Sequence, residues 1–403
     1  MKTSCYLAAG TLLRQVLGAG LLVTALLLPA GAADPDLPFE SGSTGANGPL
    51  RFREIIPGGR SYAAMAYFPP TQRILLFGGY AANTPQSETW EFDGTDWKRL
   101  FPATTPPPRR DHRMVFDPER NEIVMFGGVR DGVGYLNDTW VWKDGNWTQK
   151  APAASPSARS RHMMAFDGAT GRRNVVMFGG DSANDDTWIW DGSNWTLVAS
   201  PTRPPNYAGS GVAFDAARNE VVMFNNAAET WVWAGAGWTR KEPSERPSGR
   251  GNHRMVYDPV RQVVLLFGGD NRNDTWTWNG ANWTQKATSP VQARATFGID
   301  WDATLQRVVV YGGYSSSENP ATETWFWNGT DWAFHSGATQ WFDMTGSATG
   351  RYDYTTITIP SGVTVRFMKN AGNTPVRWLA TGDVVINGVI DVSGEWGLNS
   401  FGP

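Results

Sequence analysis

An acidic residue followed by Thr and Trp recurs six times in this chain: Glu88-Thr89-Trp90, Asp138-Thr139-Trp140, Asp186-Thr187-Trp188, Glu229-Thr230-Trp231, Asp274-Thr275-Trp276 and Glu323-Thr324-Trp325. The successive tryptophans stand 50, 48, 43, 45 and 49 residues apart. A unit of that length, repeated in register, is one supersecondary element copied along or around an axis. A single copy cannot bury its own apolar surface, so the copies must pack on one another.

The second copy shows what the unit is. Arg109 to Asp117 leads through a turn into Glu122 to Gly128, and after a loop come Asp138 to Trp142 and then Trp147 to Lys150. Four short β-rich runs separated by turn residues predict a four-stranded antiparallel meander. The second run is continuously apolar, as a strand covered on both faces requires. Trp140 and Trp142 fall on one face and Val141 on the other, because side chains alternate along a strand. Sheets apolar on both faces need a neighbour on each side, and a radial arrangement around a channel supplies it. The turn before the last strand carries Asp93-Gly94, Asp144-Gly145, Asp191-Gly192, Asn279-Gly280 or Asn328-Gly329. Such pairs take positive φ readily and favour tight hairpins. The sequons at Asn146, Asn194 and Asn282 sit at this same turn and read first as a turn signature.

The glycine pairs Gly78-Gly79, Gly127-Gly128, Gly179-Gly180, Gly268-Gly269 and Gly312-Gly313, each followed by a later Trp, resemble the kelch repeat. The resemblance covers residues 50–336 in six copies and implies an all-β fold, a six-bladed kelch β-propeller of the galactose-oxidase-like central-domain type. Blade four departs from the pattern, with Asn225-Asn226 in place of the glycines and Tyr207 at a position that is Arg elsewhere. Its backbone is expected to differ there. Ring closure has two readings: Leu50 to Ile55 completes the last blade, or Trp332 to His335 does. Residues 337–403 leave the pattern, and their alternating β-rich runs resemble the opening coils of a β-solenoid.

At the other end, Lys2 and Arg14 precede the apolar stretch Val16 to Leu28, and small residues follow at Ala30 to Ala33. This predicts a secretory signal peptide over residues 1–33, cleaved near Ala32-Ala33, then a linker over 34–49. The expected location is secreted, periplasmic or cell-surface, with no membrane span after cleavage. Without Lys2 and Arg14, 33 Lys and Arg face 38 Asp and Glu, a net charge of −5 that argues against nucleic acid as a partner. Cys5 is the only cysteine and lies in the leader. The mature chain would hold no disulfide, thiolate nucleophile or cysteine metal ligand.

Antiparallel order puts the loops from strand two to strand three on the same face as those joining successive blades. Between the glycine pair, or its Asn225-Asn226 equivalent, and the triplet lie 8, 9, 5, 2, 4 and 9 residues in blades one to six. The long loops of blades six, one and two are adjacent in a ring and form a raised wall, whose contact groups are Tyr80, Asn83, Arg130, Asp131, Tyr135, Tyr314, Glu318 and Asn319. Variable loops on a rigid scaffold are where function concentrates. The opposite face has short, uniform turns and reads as structural. Arg60, Arg109, Arg159, Arg250 and Arg294 recur eight positions before the end of strand one and are expected near the channel mouth. Two roles are open to them: a ring of guanidiniums for an anionic ligand, or pairing with a neighbouring blade's acid. His112, His162 and His253 share the position three residues further on. They read either as a metal or acid–base set or as strand residues bonded to backbone.

The function these features favour is an exported, monomeric, non-catalytic module that recognises a protein or a glycan, with an anionic ligand in view and no cofactor. The alternative is a carbohydrate-active enzyme of the epimerase or lyase type using the Arg- and His-lined channel. The kelch resemblance brings galactose oxidase into view as well. Its copper site needs a tyrosine crosslinked to cysteine, and a mature chain without cysteine disfavours it.

Overall fold

A computed structural model describes residues 57–335, apart from 182–183, 287–288 and 316–319, together with short strands between 339 and 391. The expected leader and linker, and the segment Leu50 to Ile55, lie outside the described residues. Pro57–His335 form one compact unit of six four-stranded antiparallel sheets. Each sheet comes from one contiguous repeat. In blade two the strands are Arg113–Asp117, Glu122–Phe126, Thr139–Lys143 and Asn146–Lys150, paired in chain order from inside to outside. Blade six takes Trp332–His335 as its fourth strand, paired with Thr324–Trp327. The ring of described blades is therefore complete without a borrowed strand.

Strand alternation builds the core between blades rather than within them. Trp140 and Trp142 pack with Leu75 and Phe77 of blade one, while Val141 packs with Met164 and Met177 of blade three. The same division repeats around the ring, and truncating one such buried Trp to Ala costs about 3–5 kcal/mol.

Two circles of hydrogen bonds tie the blades. In the first, the fourth-strand Trp of each blade donates its indole N–H to the triplet Thr of the preceding blade: Trp147 to Thr89, Trp195 to Thr139, Trp238 to Thr187, Trp283 to Thr230 and Trp332 to Thr275. Trp97 donates to Thr324 at 3.1 Å and closes the circle between blades one and six. The second circle is backbone only. The amides of Tyr62, Asp111, Arg161, Gly209, Asn252 and Thr296 each donate to the carbonyl of the previous member, and Tyr62 donates to Thr296 at 2.7 Å. All six have φ between 52° and 80°, in the left-handed region.

Beyond residue 336 the pairing changes character. Thr339–Phe342 pairs in parallel with Thr364–Phe367, and that strand with Val389–Asp391. Arg351–Tyr354 and Ile357–Ile359 pair likewise with Arg377–Ala380 and Val384–Ile386.

Candidate functional site

The recurring arginines do not present themselves to a channel mouth. Arg60, Arg109, Arg159, Arg250 and Arg294 are 3, 0, 0, 1 and 1% exposed. Each is bonded to the acid of its own repeat, not of a neighbouring blade. Arg109 meets Asp138 through two bonds of 2.7 Å, and Arg60 and Arg294 reach Glu88 and Glu323 at 2.7 Å. Arg159 and Arg250 grip Asp186 and Asp274 the same way. The guanidinium also donates to the first glycine's carbonyl, as from Arg109 to Gly127 at 3.1 Å. The carboxylate accepts in addition from the indole two residues on, Trp140 to Asp138 at 2.6 Å. Burial alone would raise the Asp138 pKa, but the bonds from Arg109 and Trp140 outweigh it and hold the group below the ordinary carboxylate range. With these donors engaged inside the fold, the expected anion ring is an internal clamp.

This clamp explains every residue of the triplet. The acid fixes the arginine, the Thr receives the next blade's indole, and the Trp returns to the acid. The second glycine reaches outward: Gly79 and Gly128 donate to the carbonyls of Arg109 and Arg159 in the next blade. A Cβ on Gly78, at φ +62°, would stand 2.6 Å from the Arg109 carbonyl oxygen. Blade four substitutes for its missing arginine with the Asn225 amide, which donates to Glu229 at 3.0 Å. Neither Asn225 nor Asn226 takes the left-handed φ of the glycines, so the backbone differs there as expected.

The three histidines lie between blades, fully buried and edge-on to Phe77, Phe126 and Phe224 of the preceding blade. Blade six places Phe297 there, against Phe267. Neither ring nitrogen of His112 or His162 makes a hydrogen bond; His253 Nε2 accepts from the Gly211 amide at 3.0 Å. Burial first, and then the charges of Arg109 and Arg113, drive the His112 pKa far down, and burial lowers that of His253 to about 3. The Phe77 backbone favours the charged His112 slightly, from outside hydrogen-bond geometry. These are neutral packing groups. Among the described residues no three His, Asp or Glu side chains converge as metal ligands.

The loop wall has its own structure. After the glycine pair, blade one forms a small hairpin from Tyr80–Ala81 and Thr84–Pro85, and blade two one from Val129–Arg130 and Gly134–Tyr135. In blade six Tyr314–Ser315 pairs with Arg294–Ala295. Bridges Ser61 to Tyr80 and Arg110 to Val129 root the first two on the segment entering strand one. Arg130 and Asn83 are exposed, and Tyr135 and Tyr314 are 46 and 41% exposed, with Val133 at 62%. Tyr80 is half-buried beneath the Arg110 guanidinium, 5.3 Å from its ring centre. Glu318 and Asn319 lie outside the described residues.

Inside this wall the structure places a charged cluster that loop length did not reveal. Asp111, 2% exposed, accepts from Arg110 at 3.2 Å and lies 3.4 Å from Arg161. Arg161 stands over Tyr62 at 5.9 Å, and Arg110 approaches Asp131 at 3.7 Å. Burial raises the Asp111 pKa even against four nearby guanidiniums. The signal was present in the sequence: the backbone circle carries Tyr, Asp, Arg, Gly, Asn and Thr at one constant-length position, the most varied site in an otherwise regular stretch. The opposite face is locked instead. Asp117, Asp167, Asp215 and Asp258 each hold an arginine, and Arg172, Arg218 and Arg261 bond carbonyls of the next blade.

Comparison with known proteins agrees with this geometry. Residues 72–224 match the family model of the KLHDC2/KLHL20/DRC7 Kelch-repeats domain. A solved structure titled "Structure of YjhT" aligns with a TM-score of 0.52 at 14% identity, over 68% of this chain and 96% of that one. At that identity the likeness concerns the fold. A search of curated proteins finds no match.

Proposed function

For a chain whose repeats form a kelch-type six-bladed propeller, we propose that it is an exported binding module that takes a protein segment on the loop wall and the charged mouth of blades one to three. The single observation that carries this is asymmetry. One face is cross-linked blade to blade, whereas the other raises exposed Val133, Tyr135 and Arg130 beside buried Asp111 and the half-buried Arg110 and Arg161 that hold it. Aromatic and arginine side chains around a partly desolvated centre are what protein recognition uses. A partner offering an apolar side chain to Val133 and Tyr135 and a carboxylate to Arg130 suits this surface. Binding fits the site better than acid–base catalysis, because the histidines are sealed between blades. Export rests on the basic, apolar and small-residue order of the first 33 residues. Mass measurement of the exported chain checks it by locating the new N-terminus.

Selection of a displayed random-peptide library against the mature protein tests the binding surface, with a glycan array run in parallel. Peptides recovered on the native protein should bind Val133→Asp and Arg161→Ala at least about ten-fold more weakly. They should bind Glu119→Ala and Lys143→Ala, on the opposite face, unchanged. Ligands lost on the Glu119 and Lys143 variants instead would overturn the assignment of the face, and hits confined to glycans would overturn the protein ligand.

A further inference from the structure

Blades two and five stand opposite each other in the ring of six, and the innermost strand of each begins with arginine, Arg113 and Arg254. The other four begin with Ala64, Met163, Gly211 and Gly298. Both arginines line a cavity of about 90 Å³ bounded by the innermost strands of all six blades, with apolar walls such as Met65, Met114, Val212 and Ile299. Among the described lining residues the one hydroxyl, Ser210, already donates to the Tyr207 carbonyl at 2.7 Å.

Among the described residues each of these guanidiniums makes one hydrogen bond, from Nη1 to the carbonyl of the preceding histidine at 3.1 Å. Among the described residues no carboxylate lies within 4.0 Å of either. That sets them apart from the five clamp arginines, each of which holds its own acid. Asp111 is nearest in influence, but Arg110 and Arg161 already hold it. Burial lowers the pKa of both channel arginines, and for Arg254 the charge of Arg113 is the next contribution. Two half-buried cations on one cavity repel each other, and none of its described lining residues is a carboxylate.

We propose that the axial cavity binds a compact oxyanion, a small carboxylate or a phosphate-like ion, held from opposite sides by Arg113 and Arg254. A guanidinium offers parallel N–H donors spaced for the paired oxygens of such ions. A water needs about 10–15 Å³ of such space, so the cavity has room for several waters and hence for an anion of a few heavy atoms. The site lies on the axis and does not depend on what the outer wall binds.

The test is calorimetric titration and thermal unfolding of the full chain with acetate, inorganic phosphate and chloride at constant ionic strength. Acetate or phosphate should bind saturably and raise Tm, and whichever competes the other off identifies the source of the oxygens. Arg113→Met and Arg254→Met should each weaken that ion at least about ten-fold. Lys143→Ala, exposed on the opposite face, should keep it. Arg113→Lys and Arg254→Lys hold the charge without the fork and should bind saturably but more weakly, which keeps the test valid if a Met variant fails to fold. An equal response to chloride, no saturable response at all, or unchanged titrations in the arginine variants would overturn the proposal.

Discussion

Between the blades and along the axis, one repeat handles the same residue type in opposite ways. In the clamps, Arg109 and its four counterparts are buried and matched: carboxylate on one side, glycine carbonyl on the other, indole closing the set. At the start of the innermost strands, Arg113 and Arg254 are half-buried and unmatched, and they occur in only two blades. Where a residue recurs in nearly every copy, its bonds close within the fold. Where it varies from copy to copy, donors stay open. The difference is one of partners as well as of depth: the clamp arginines are sealed in the fold, and the channel arginines open on the axial cavity.

The largest effect that could break this contrast comes from deleting one member of each set. Arg109→Ala removes a fully buried guanidinium, leaves the half-buried Asp138 without it, and should destabilise the protein by about 3–5 kcal/mol, read as a lowered denaturant midpoint. Arg113→Met removes an uncompensated charge and fills an apolar wall. It should cost less than about 1 kcal/mol, or stabilise the protein, in anion-free buffer. Equal losses would mean that the channel arginine is as structural as the clamp.

The pattern of residues had made one side of this contrast legible and not the other. Blade number, strand order, the alternation of Trp140 and Val141 and the locked opposite face follow from period and polarity, which act locally. The recurrence of Arg109 and its equivalents marked them as important without saying whether they pair inward or outward, since that depends on where the acid two strands away comes to lie. The channel arginines were hidden for a different reason. Arg113 and Arg254 lie 141 positions apart and become neighbours only when six blades close a circle. The Asp111–Arg161 contact likewise joins two repeats.

Acid sharpens the contrast at the histidines. The folded pKa of His112 lies far below the value of about 6.5 in the unfolded chain, so below that pH the unfolded state takes up a proton that the fold refuses. Stability is therefore complete above about pH 6.5 and falls by about 1.4 kcal/mol per pH unit for each such histidine. For His253 the fall continues to about pH 3. Asp300, raised by burial to about 6, works in the opposite sense: it favours the folded state most when protonated and withdraws that support as pH rises through its folded value. His112→Phe, copying Phe297 of blade six, should leave stability at pH 7 within about 1 kcal/mol and remove about 2 kcal/mol of the loss between pH 7 and 5. Denaturant midpoints at the two pH values measure it. An unchanged acid slope would show that His112 is not held neutral by its burial between the blades.

The smallest effect tests whether the clamp is uniform around the circle. Thr139→Val removes the acceptor for the Trp195 indole at 2.9 Å, and Thr324→Val removes that for Trp97 at 3.1 Å. Each leaves a buried N–H unpaired in a site of unchanged shape, so each should cost about 1–2 kcal/mol. Thr139 joins blades that are consecutive in the chain, whereas Thr324 joins the last blade to the first. If closure rests on the same local bond as every other junction, the two losses agree within about 0.5 kcal/mol. A markedly larger loss for Thr324→Val would place extra weight on the seam, where chain connectivity gives no help and the Trp97 indole acts beside the Tyr62 amide bond to Thr296, the Tyr67 amide bond to Asp300 and the contact of Trp97 with Tyr311.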